Sequence, residues 1–258
     1  MEKTSPEEFF GFAFIADMRN FSEVCRRLLI AKDPEEDRVS ELKKSIYAAF
    51  FESLVTILKR TVSNNKDLIF DYKHTGDGFL YITKSNLPKI TQMTSFRFLL
   101  DLYLTLDKEI PQLNKRLSRI LNDKNNQGTI KRSKHLKYIK TLFADPSTGK
   151  PRDYITFSIG AHCGNIYPQE FNDKILLLGN TINMAARLQE LSKTFSDFNL
   201  FFSKSLLNLL KKYRAVDSPS IQNSKALGTI NIRGIGGTQI YTIPKAKIPE
   251  VLKSLADR

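Results

Sequence analysis

Residues 69–83, IFDYKHTGDGFLYIT, constrain the fold most, because two apolar segments flank a Gly-Asp-Gly turn. The β-branched and aromatic residues around Gly76-Asp77-Gly78 predict a β-hairpin whose tip requires a positive φ angle. Such a tip lifts the carboxylate of Asp77 clear of the sheet. An Asp-Gly pair is also common at hairpin tips for conformational reasons alone. Taken alone, the motif is consistent with either a structural turn or an exposed functional carboxylate.

A second carboxylate is predicted at the end of a strand near the N-terminus. Residues 11–22, GFAFIADMRNFS, form an apolar run that ends at Asp17 and leads into a helix start. Hard cations such as Mg²⁺ prefer oxygen ligands and leave coordination positions free for substrate phosphates. Asp17 and Asp77 are therefore candidate ligands of a two-metal site. The alternative is one capping aspartate and one turn aspartate without a shared role.

A third motif lies in residues 157–188, where a predicted strand leads through a Gly-rich turn into a helix. This helix contains Asn183 and Arg187, and their spacing places both side chains on one helical face. An ordinary packed helix is the alternative, since the small residues Ala185 and Ala186 suit plain helix packing.

Together, these motifs resemble the catalytic domain of class III nucleotidyl cyclases, the adenylate and guanylate cyclase family. The similarity extends over most of the chain and keeps the order of the family's motifs: FIADMRNFS, KHTGDGF, SIGAHCG, GNTINMAARL and INIRGIGGTQIYTI. The resemblance implies an α/β (α+β) sandwich with a ferredoxin-like βαββαβ core and an antiparallel sheet. It also implies a head-to-tail homodimer whose active sites lie between the two protomers.

The same resemblance implies that the ribose 3′-hydroxyl of a nucleoside triphosphate attacks the α-phosphorus and that pyrophosphate leaves. Two divalent cations, Mg²⁺ or Mn²⁺, are expected on Asp17 and Asp77, with the backbone carbonyl of Met18 as a further ligand. The backbone amides at the start of the following helix, at Phe21 and Ser22, are expected to bind phosphate oxygens.

Three further residues match positions that contact the substrate in the family. Asn183 corresponds to the residue that orients the ribose, and Arg187 to the one that stabilises charge on the α-phosphate. Arg233 stands where the family usually has a lysine near the terminal phosphates, although a basic residue before a glycine turn is common. In the family, the asparagine and arginine that match Asn183 and Arg187 come from one protomer and the metal aspartates from the other, so the monomer should be inactive.

The base-reading positions separate the possible substrates. Lys73 occupies the position at which adenylate cyclases have a lysine and guanylate cyclases a glutamate. Its partner, counted back from Gly179, is Leu176, which cannot accept a hydrogen bond from the adenine amino group. Uracil presents two carbonyl acceptors that Lys73 can bind, while Tyr72 and Leu176 fill the remaining space. UTP is therefore narrowly preferred over ATP, and Asp173 is the acceptor if the register is shifted.

The DMRNFS variant and the lone catalytic domain also resemble the pyrimidine cyclases of bacterial anti-phage signalling systems. That resemblance implies cyclic UMP as the product and a separate effector protein that the cyclic nucleotide activates. Three alternatives stay open: an adenylate cyclase that makes cyclic AMP, a catalytically silent, cyclase-like regulatory domain, and a basic RNA- or membrane-binding domain on a borrowed fold. The presence of all four matched residues favours an active enzyme: Asp17, Asp77, Asn183 and Arg187.

Composition predicts a single domain over residues 1–258 with a basic insertion at about 115–150. The net charge is +13, and residues 115–140 contain nine Lys or Arg against one acidic residue. This segment predicts a loop that contacts polyphosphate, RNA or an anionic surface, or simply a solvated face. No apolar run approaches the ~20 residues that span a bilayer, and the acidic N-terminus does not suit a signal peptide. We therefore expect a cytoplasmic protein without membrane contact.

Hydrophobic periodicity predicts the remaining elements. Helices are expected over residues 21–30, 38–62, 93–121, 181–192, 204–213 and 248–257. Strands are expected over residues 154–163, 199–202, 229–232 and 238–243, and a loop over 165–172.

Overall fold

The computed structural model describes residues 7–31, 36–84, 89–172, 174–212, 224–232 and 236–256. The strands are β1 (Phe9–Arg19), β2 (Ile69–His74), β3 (Gly78–Lys84), β4 (Thr156–Phe171), β5 (Lys174–Leu178), β6 (Leu200–Ser203), β7 (Lys225–Ile232) and β8 (Gly236–Thr242). The helices are α1 (Phe21–Ile30), α2 (Glu36–Ser63), α3 (Lys89–Asn122), α4 (Gln127–Arg132), α5 (Lys134–Leu142), α6 (Asn180–Glu190), α7 (Lys204–Lys212) and α8 (Ile248–Ala256). No helix in these ranges combines the length and the hydropathy needed to cross a bilayer.

The strands form one sheet in the order β2-β3-β1-β4-β6-β8-β7, and β5 pairs with β4 outside this path. Along the chain, β1, the helices α1 and α2, β2, β3, α3 and β4 form a βαββαβ unit. Within this unit β3 is antiparallel to both β1 and β2, whereas the added strand β6 runs parallel to β4. The predicted ferredoxin-like core is therefore confirmed.

One compact unit consists of the described residues of three segments, 1–17, 64–103 and 158–258. Its core is built on both faces of β1 and β3, because successive strand residues point to opposite sides of a sheet. On one face, Ala13 and Ile82 belong to a buried cluster with Ala185 of α6. On the other face, the ring of Phe14 contacts Phe98 of α3. The buried cluster therefore holds α6 against the face of the sheet that β1 and β3 form.

A second compact unit consists of the described residues of 18–63 and 104–157. The apolar face of α2 is buried at each position on the predicted stripe: Leu42, Ile46, Ala49, Phe50, Ser53, Leu54 and Ile57. Asn114 of α3 donates to the backbone oxygen of Ile155 at 2.7 Å and accepts from its amide at 2.9 Å. This side chain therefore satisfies a buried backbone segment that has no strand partner there.

The basic segment is largely helical, so the prediction of a loop is wrong. Lys, Arg and Asn residues dominate its sequence, but Ile130 of α4 and Leu136 and Ile139 of α5 are buried. A few apolar side chains at helical spacing are enough to stabilise short helices by packing. Its status as an insertion, and the single domain over the whole chain, stay predictions.

The predicted loop at 165–172 is also wrong, because β4 continues through it and pairs with β5. The antiparallel ladder joins Tyr167 to Leu178 and Phe171 to Lys174, and Asn172 adopts a φ of 48° at the turn. The hydrogen bonds of this hairpin, which depend on the distant strand β5, keep the segment extended.

Candidate active site

Asp17 and Asp77 lie beside each other where β1 meets the β2–β3 turn. Asp17 pairs with Gly78 in the β1–β3 ladder, which brings the preceding residue, Asp77, alongside it. Gly76 has a φ of 87°, the left-handed conformation expected for this tip. A Cβ atom at Gly78 would lie 2.3 Å from the carbonyl oxygen of Ala16, so glycine permits the close approach of the two strands.

The pKa of Asp17 is raised from 3.8 to about 7. Burial of the carboxylate is the largest cause, followed by the negative charge of Asp77 and a hydrogen bond between the two carboxyl groups. The positive charge of Lys193 and a hydrogen bond from Gln189 act in the opposite direction on this pKa. The two carboxyl groups are therefore held in an arrangement that favours either a shared proton or a bound cation.

Gln189 of α6 is a contact of the site that the sequence analysis did not identify. Its Nε2 atom donates to Oδ2 of Asp17 at 3.2 Å, and Ser158 of β4 donates to its backbone oxygen at 2.6 Å. At Gly160 of β4, a Cβ atom would lie 2.0 Å from the carbonyl oxygen of Ala185. Glycine therefore lets α6 lie directly on β4, which positions Gln189 toward Asp17. The only sequence signal for Gln189 was its place on the helix of Asn183.

Asn183 and Arg187 lie on the exposed side of α6, as their spacing predicts. The opposite side of the helix is buried and includes Gln189. Arg187 forms an ion pair with Glu190, with 2.9 Å between Nη1 and Oε2, and both side chains are about half exposed. Within one chain, α6 thus presents the predicted catalytic pair outward and contacts Asp17 with its inner face.

Lys73 and Leu176, the predicted base-reading residues, line the same cleft of about 400 Å³. The cleft has four further lining residues that were not predicted from the sequence: Phe70, Asp71, Lys174 and Ile175. Lys73 forms an ion pair with Asp71, with 3.5 Å between Nζ and Oδ2. Tyr72 is 46% exposed and is not among the residues that line this cleft. Its role in substrate binding stays a prediction.

The remaining predicted residues lie at the start of α1 or outside the described part of the chain. Met18 and Phe21 are buried, and the ring of Phe21 stacks on Phe50 of α2. Phe21 therefore offers a ligand only its backbone amide, and the backbone amide of Ser22 lies at the next position of the helix N-terminus. The carbonyl of Met18 and these amides stay predictions. Two predicted residues lie outside the described ranges: Asp173 and Arg233.

The carboxylate pair fits a divalent cation. In the described part of the chain, no group of three or more His, Cys, Asp or Glu side chains is arranged to hold a metal ion. Mg²⁺ is commonly bound by only one or two carboxylates together with substrate phosphates and water, so a pair is sufficient. A cation would also offset the burial of Asp17 and the repulsion from Asp77, which together raise the pKa of Asp17.

Comparison with solved structures identifies the fold, whereas no protein-family model and no curated protein sequence matches the chain. The guanylate cyclase domain of RhGC from Catenaria anguillulae, in complex with GTP, matches with a TM-score of 0.54 and 15% identity, covering 92% of this chain and 98% of that one. The catalytic core of a rhodopsin-guanylyl cyclase with converted specificity, in complex with ATPalphaS, has a TM-score of 0.53 and 16% identity, with coverage of 92% and 97%.

A bacterial light-regulated adenylyl cyclase has a TM-score of 0.53 and 16% identity over 99% of this chain, which spans 58% of that protein. The chain therefore has the fold of a class III cyclase catalytic domain.

Proposed function

We propose that this protein is a class III nucleotidyl cyclase, which converts a nucleoside triphosphate into a 3′,5′-cyclic nucleotide and pyrophosphate. The observation that carries the proposal is the pair of carboxyl groups at Asp17 and Asp77, held together on a cyclase fold. Two partly buried like charges are costly for a protein that uses them only for structure, and strongly shifted pKa values cluster at functional sites.

The chain's own residues prepare the site for two divalent cations, Mg²⁺ or Mn²⁺, on Asp17 and Asp77. When bound, such cations lower the pKa of the ribose 3′-hydroxyl and neutralise charge on the leaving pyrophosphate. Gln189 donates to Asp17 and so fixes the direction of its carboxylate, while Lys193 favours the ionised form that binds a cation. Both residues therefore act on the carboxylate of Asp17.

A second copy of the chain completes each active site. Asn183 and Arg187 point outward from α6, while the contact of α6 with Asp17 is made on its inner face. In a two-fold dimer, the exposed pair of one protomer can face the carboxylates of its partner, which gives two equivalent sites. Arg187 then exchanges its exposed ion pair with Glu190 for the α-phosphate, whose negative charge its planar donors stabilise.

The proposed substrate is UTP, and ATP is the second candidate. The common cleft of Lys73 and Leu176 supports their assignment to base contacts. Lys73 donates hydrogen bonds, which suits the carbonyl oxygens of uracil, and the apolar Leu176 packs against the ring. The product, cyclic UMP, would act in the cytoplasm on a separate effector protein, as in the anti-phage systems that the sequence resembles.

The direct test is to incubate the purified protein with each of the four nucleoside triphosphates and Mn²⁺ and to identify the products by mass spectrometry. We expect cyclic UMP as the main product and none from an Asp77→Asn variant that still forms the dimer. Cyclic AMP as the main product would establish the adenylate cyclase instead. A folded wild-type dimer that forms no cyclic nucleotide from any of the four would contradict the proposed activity and favour a regulatory domain.

A further inference from the structure

The cleft between β2 and β5 is lined by three charged side chains, although base recognition by Lys73 alone would require only one. Asp71 and Lys73 of β2 line it, and so do Lys174 and Leu176 of β5. Phe70, Ile175 and Leu176 supply apolar surface around the three charged groups. The volume of about 400 Å³ lies within the range of small-molecule sites, roughly 300–1,000 Å³.

The three charged groups have fixed hydrogen-bonding roles. The ammonium groups of Lys73 and Lys174 only donate, and the carboxylate of Asp71 only accepts. Asp71 lies 3.5 Å from Lys73, and their side chains are 30% and 43% exposed, so both groups remain reachable from the cleft. The cleft therefore offers a ligand two donors and one acceptor.

The Watson–Crick edge of uracil presents the complementary set, with acceptors at O2 and O4 and a donor at N3–H. We propose that Asp71 and Lys174, together with Lys73, form a donor–acceptor–donor set that selects the uracil base of UTP. This inference rests on the proposed cyclase function and names two specificity residues for its substrate site. In this set, Asp71 accepts from N3–H and the two lysines donate to the carbonyl oxygens.

Because of Asp71, the lack of an acceptor at Leu176 is not a sufficient reason for the cleft to exclude ATP. The acceptor that Leu176 cannot provide for the adenine amino group is available at Asp71, so Leu176 alone does not exclude adenine. Adenine satisfies one lysine through N1 and the carboxylate through its amino group, but it leaves the second lysine of the cleft without an acceptor. If Lys73 binds N1 of adenine, Lys174 is the lysine that is left without an acceptor. Discrimination between UTP and ATP therefore depends on Lys174.

Guanine mismatches one member of the set and cytosine mismatches two, because the C4 amino donor of cytosine would meet a lysine where uracil has O4. Cytosine has a lone pair at N3 where uracil has a proton, so it would face the carboxylate of Asp71 with an acceptor. Guanine has a donor amino group at C2, which would meet a lysine. An unpaired polar group in a binding site lowers specificity for the mismatched base by about 5- to 150-fold.

Two variants test the residues separately, with kcat/KM measured for all four nucleoside triphosphates. Lys174→Gln should lower the UTP to ATP ratio, and Asp71→Asn should lower the UTP to CTP ratio because an amide can donate to N3 of cytosine. We expect each change to be at least about 5-fold. Matched controls that remove the same charges outside the cleft, Lys66→Gln and Asp67→Asn, should leave both ratios unchanged.

A binding measurement separates this inference from the cyclase proposal. 3′-Deoxy-UTP and 3′-deoxy-ATP lack the attacking hydroxyl, so calorimetry reports their binding without turnover. We expect the wild type to prefer 3′-deoxy-UTP and Lys174→Gln to lose that preference, whether or not the protein makes a cyclic nucleotide. A protein that turns over UTP but keeps its base ratios in both cleft variants would overturn the inference and leave the cyclase proposal intact. Equal binding of 3′-deoxy-UTP and 3′-deoxy-ATP by the wild type would also overturn the inference about Asp71 and Lys174.

Discussion

At the scale of single residues, the main feature of the candidate site is the unfavourable environment of the Asp17 carboxylate. Asp17 is partly buried beside Asp77, and both burial and the neighbouring charge raise its pKa to about 7. Gln189 and Lys193 only partly compensate for this cost. The cation-free protein should therefore carry a destabilising carboxylate that a bound cation would neutralise.

The raised pKa of Asp17 predicts that Asp17→Asn changes the stability of the cation-free protein in a pH-dependent way. Because the pKa of Asp17 is higher in the folded than in the unfolded chain, the folded state loses stability as pH rises from about 4 to about 7. The amide cannot ionise, so the variant should have the same melting temperature as the wild type near pH 4 and a higher one above pH 7. Thermal unfolding in EDTA across this range measures the difference.

Added Mn²⁺ provides the control for that prediction. It should raise the melting temperature of the wild type more than that of the variant, since the variant lacks one carboxylate ligand. A difference in melting temperature that does not vary with pH in EDTA would show that the pKa of Asp17 is not raised in the folded protein.

Gln189 is predicted to act through Asp17 as a positioning residue. Gln189→Leu removes the hydrogen bond at 3.2 Å while keeping the volume of the side chain, so the carboxylate loses its fixed direction. Loss of a hydrogen bond to a metal-binding carboxylate typically weakens metal affinity by about 10- to 100-fold. We expect the Mn²⁺ dissociation constant, measured by calorimetry, to rise by that factor.

The matched control for this variant is Gln239→Leu, at an exposed position of β8. It should leave Mn²⁺ affinity unchanged. If Gln189→Leu lowered only the melting temperature and kept the wild-type Mn²⁺ affinity, the role of Gln189 would be structural.

At the scale of secondary-structure elements, α6 carries residues of both parts of the proposed active site. Its buried side contacts Asp17 through Gln189, and its exposed side presents Asn183 and Arg187. The position of the whole helix depends on Gly160, where any Cβ atom would meet the helix backbone. A small shift of this helix would therefore change both the contact with Asp17 and the position of Arg187.

Gly160→Ala tests this dependence. The new methyl group would lie 2.0 Å from the carbonyl oxygen of Ala185 and 2.4 Å from the amide nitrogen of Gln189, so α6 must move outward. Overpacking of this kind costs about 1–3 kcal/mol of unfolding free energy. Chemical denaturation measures that loss, and we expect cyclase activity to fall with it.

Gly128→Ala in α4 is the control, because no atom lies within 4 Å of a Cβ atom there. It should be neutral or stabilise by about 0.4–1 kcal/mol, since alanine is the better helix former. Equal stability of the two variants would contradict the close packing of α6 on β4.

At the scale of the whole molecule, the proposed enzyme works as a pair of identical chains. Asp77→Ala and Arg187→Ala should each abolish activity in the pure dimer, because every site then lacks one component. In a mixed dimer, one of the two sites combines the intact residues of both chains. We therefore expect an equal mixture to regain about a quarter of the wild-type activity, since half the dimers are mixed and half their sites are intact.

The control for this mixing experiment is the exchange of subunits, which mass spectrometry of differently tagged chains reports. A mixture that exchanges subunits and stays inactive would exclude sites shared between two protomers. Activity in a verified monomer would exclude them too.

Local sequence determined the features that depend on near neighbours along the chain. The Gly-Asp-Gly tip required a positive φ at Gly76, the apolar stripe of α2 required a buried face, and the spacing of Asn183 and Arg187 required a common side of α6. Each of these features follows from side-chain periodicity or from backbone sterics, and both depend only on residues that are close together in the sequence.

Tertiary structure decided which distant residues meet. Gln189 reaches Asp17 across 172 positions of sequence, and Asp71 shares a cleft with Lys174 only because β4 extends past Asn165 into a hairpin with β5. No local pattern contains these pairings, since they depend on strand order and on how closely α6 lies on β4. Sequence motifs therefore supplied the chemical groups, and packing of the sheet and α6 supplied their partners, because proximity across a fold is a property of the whole chain.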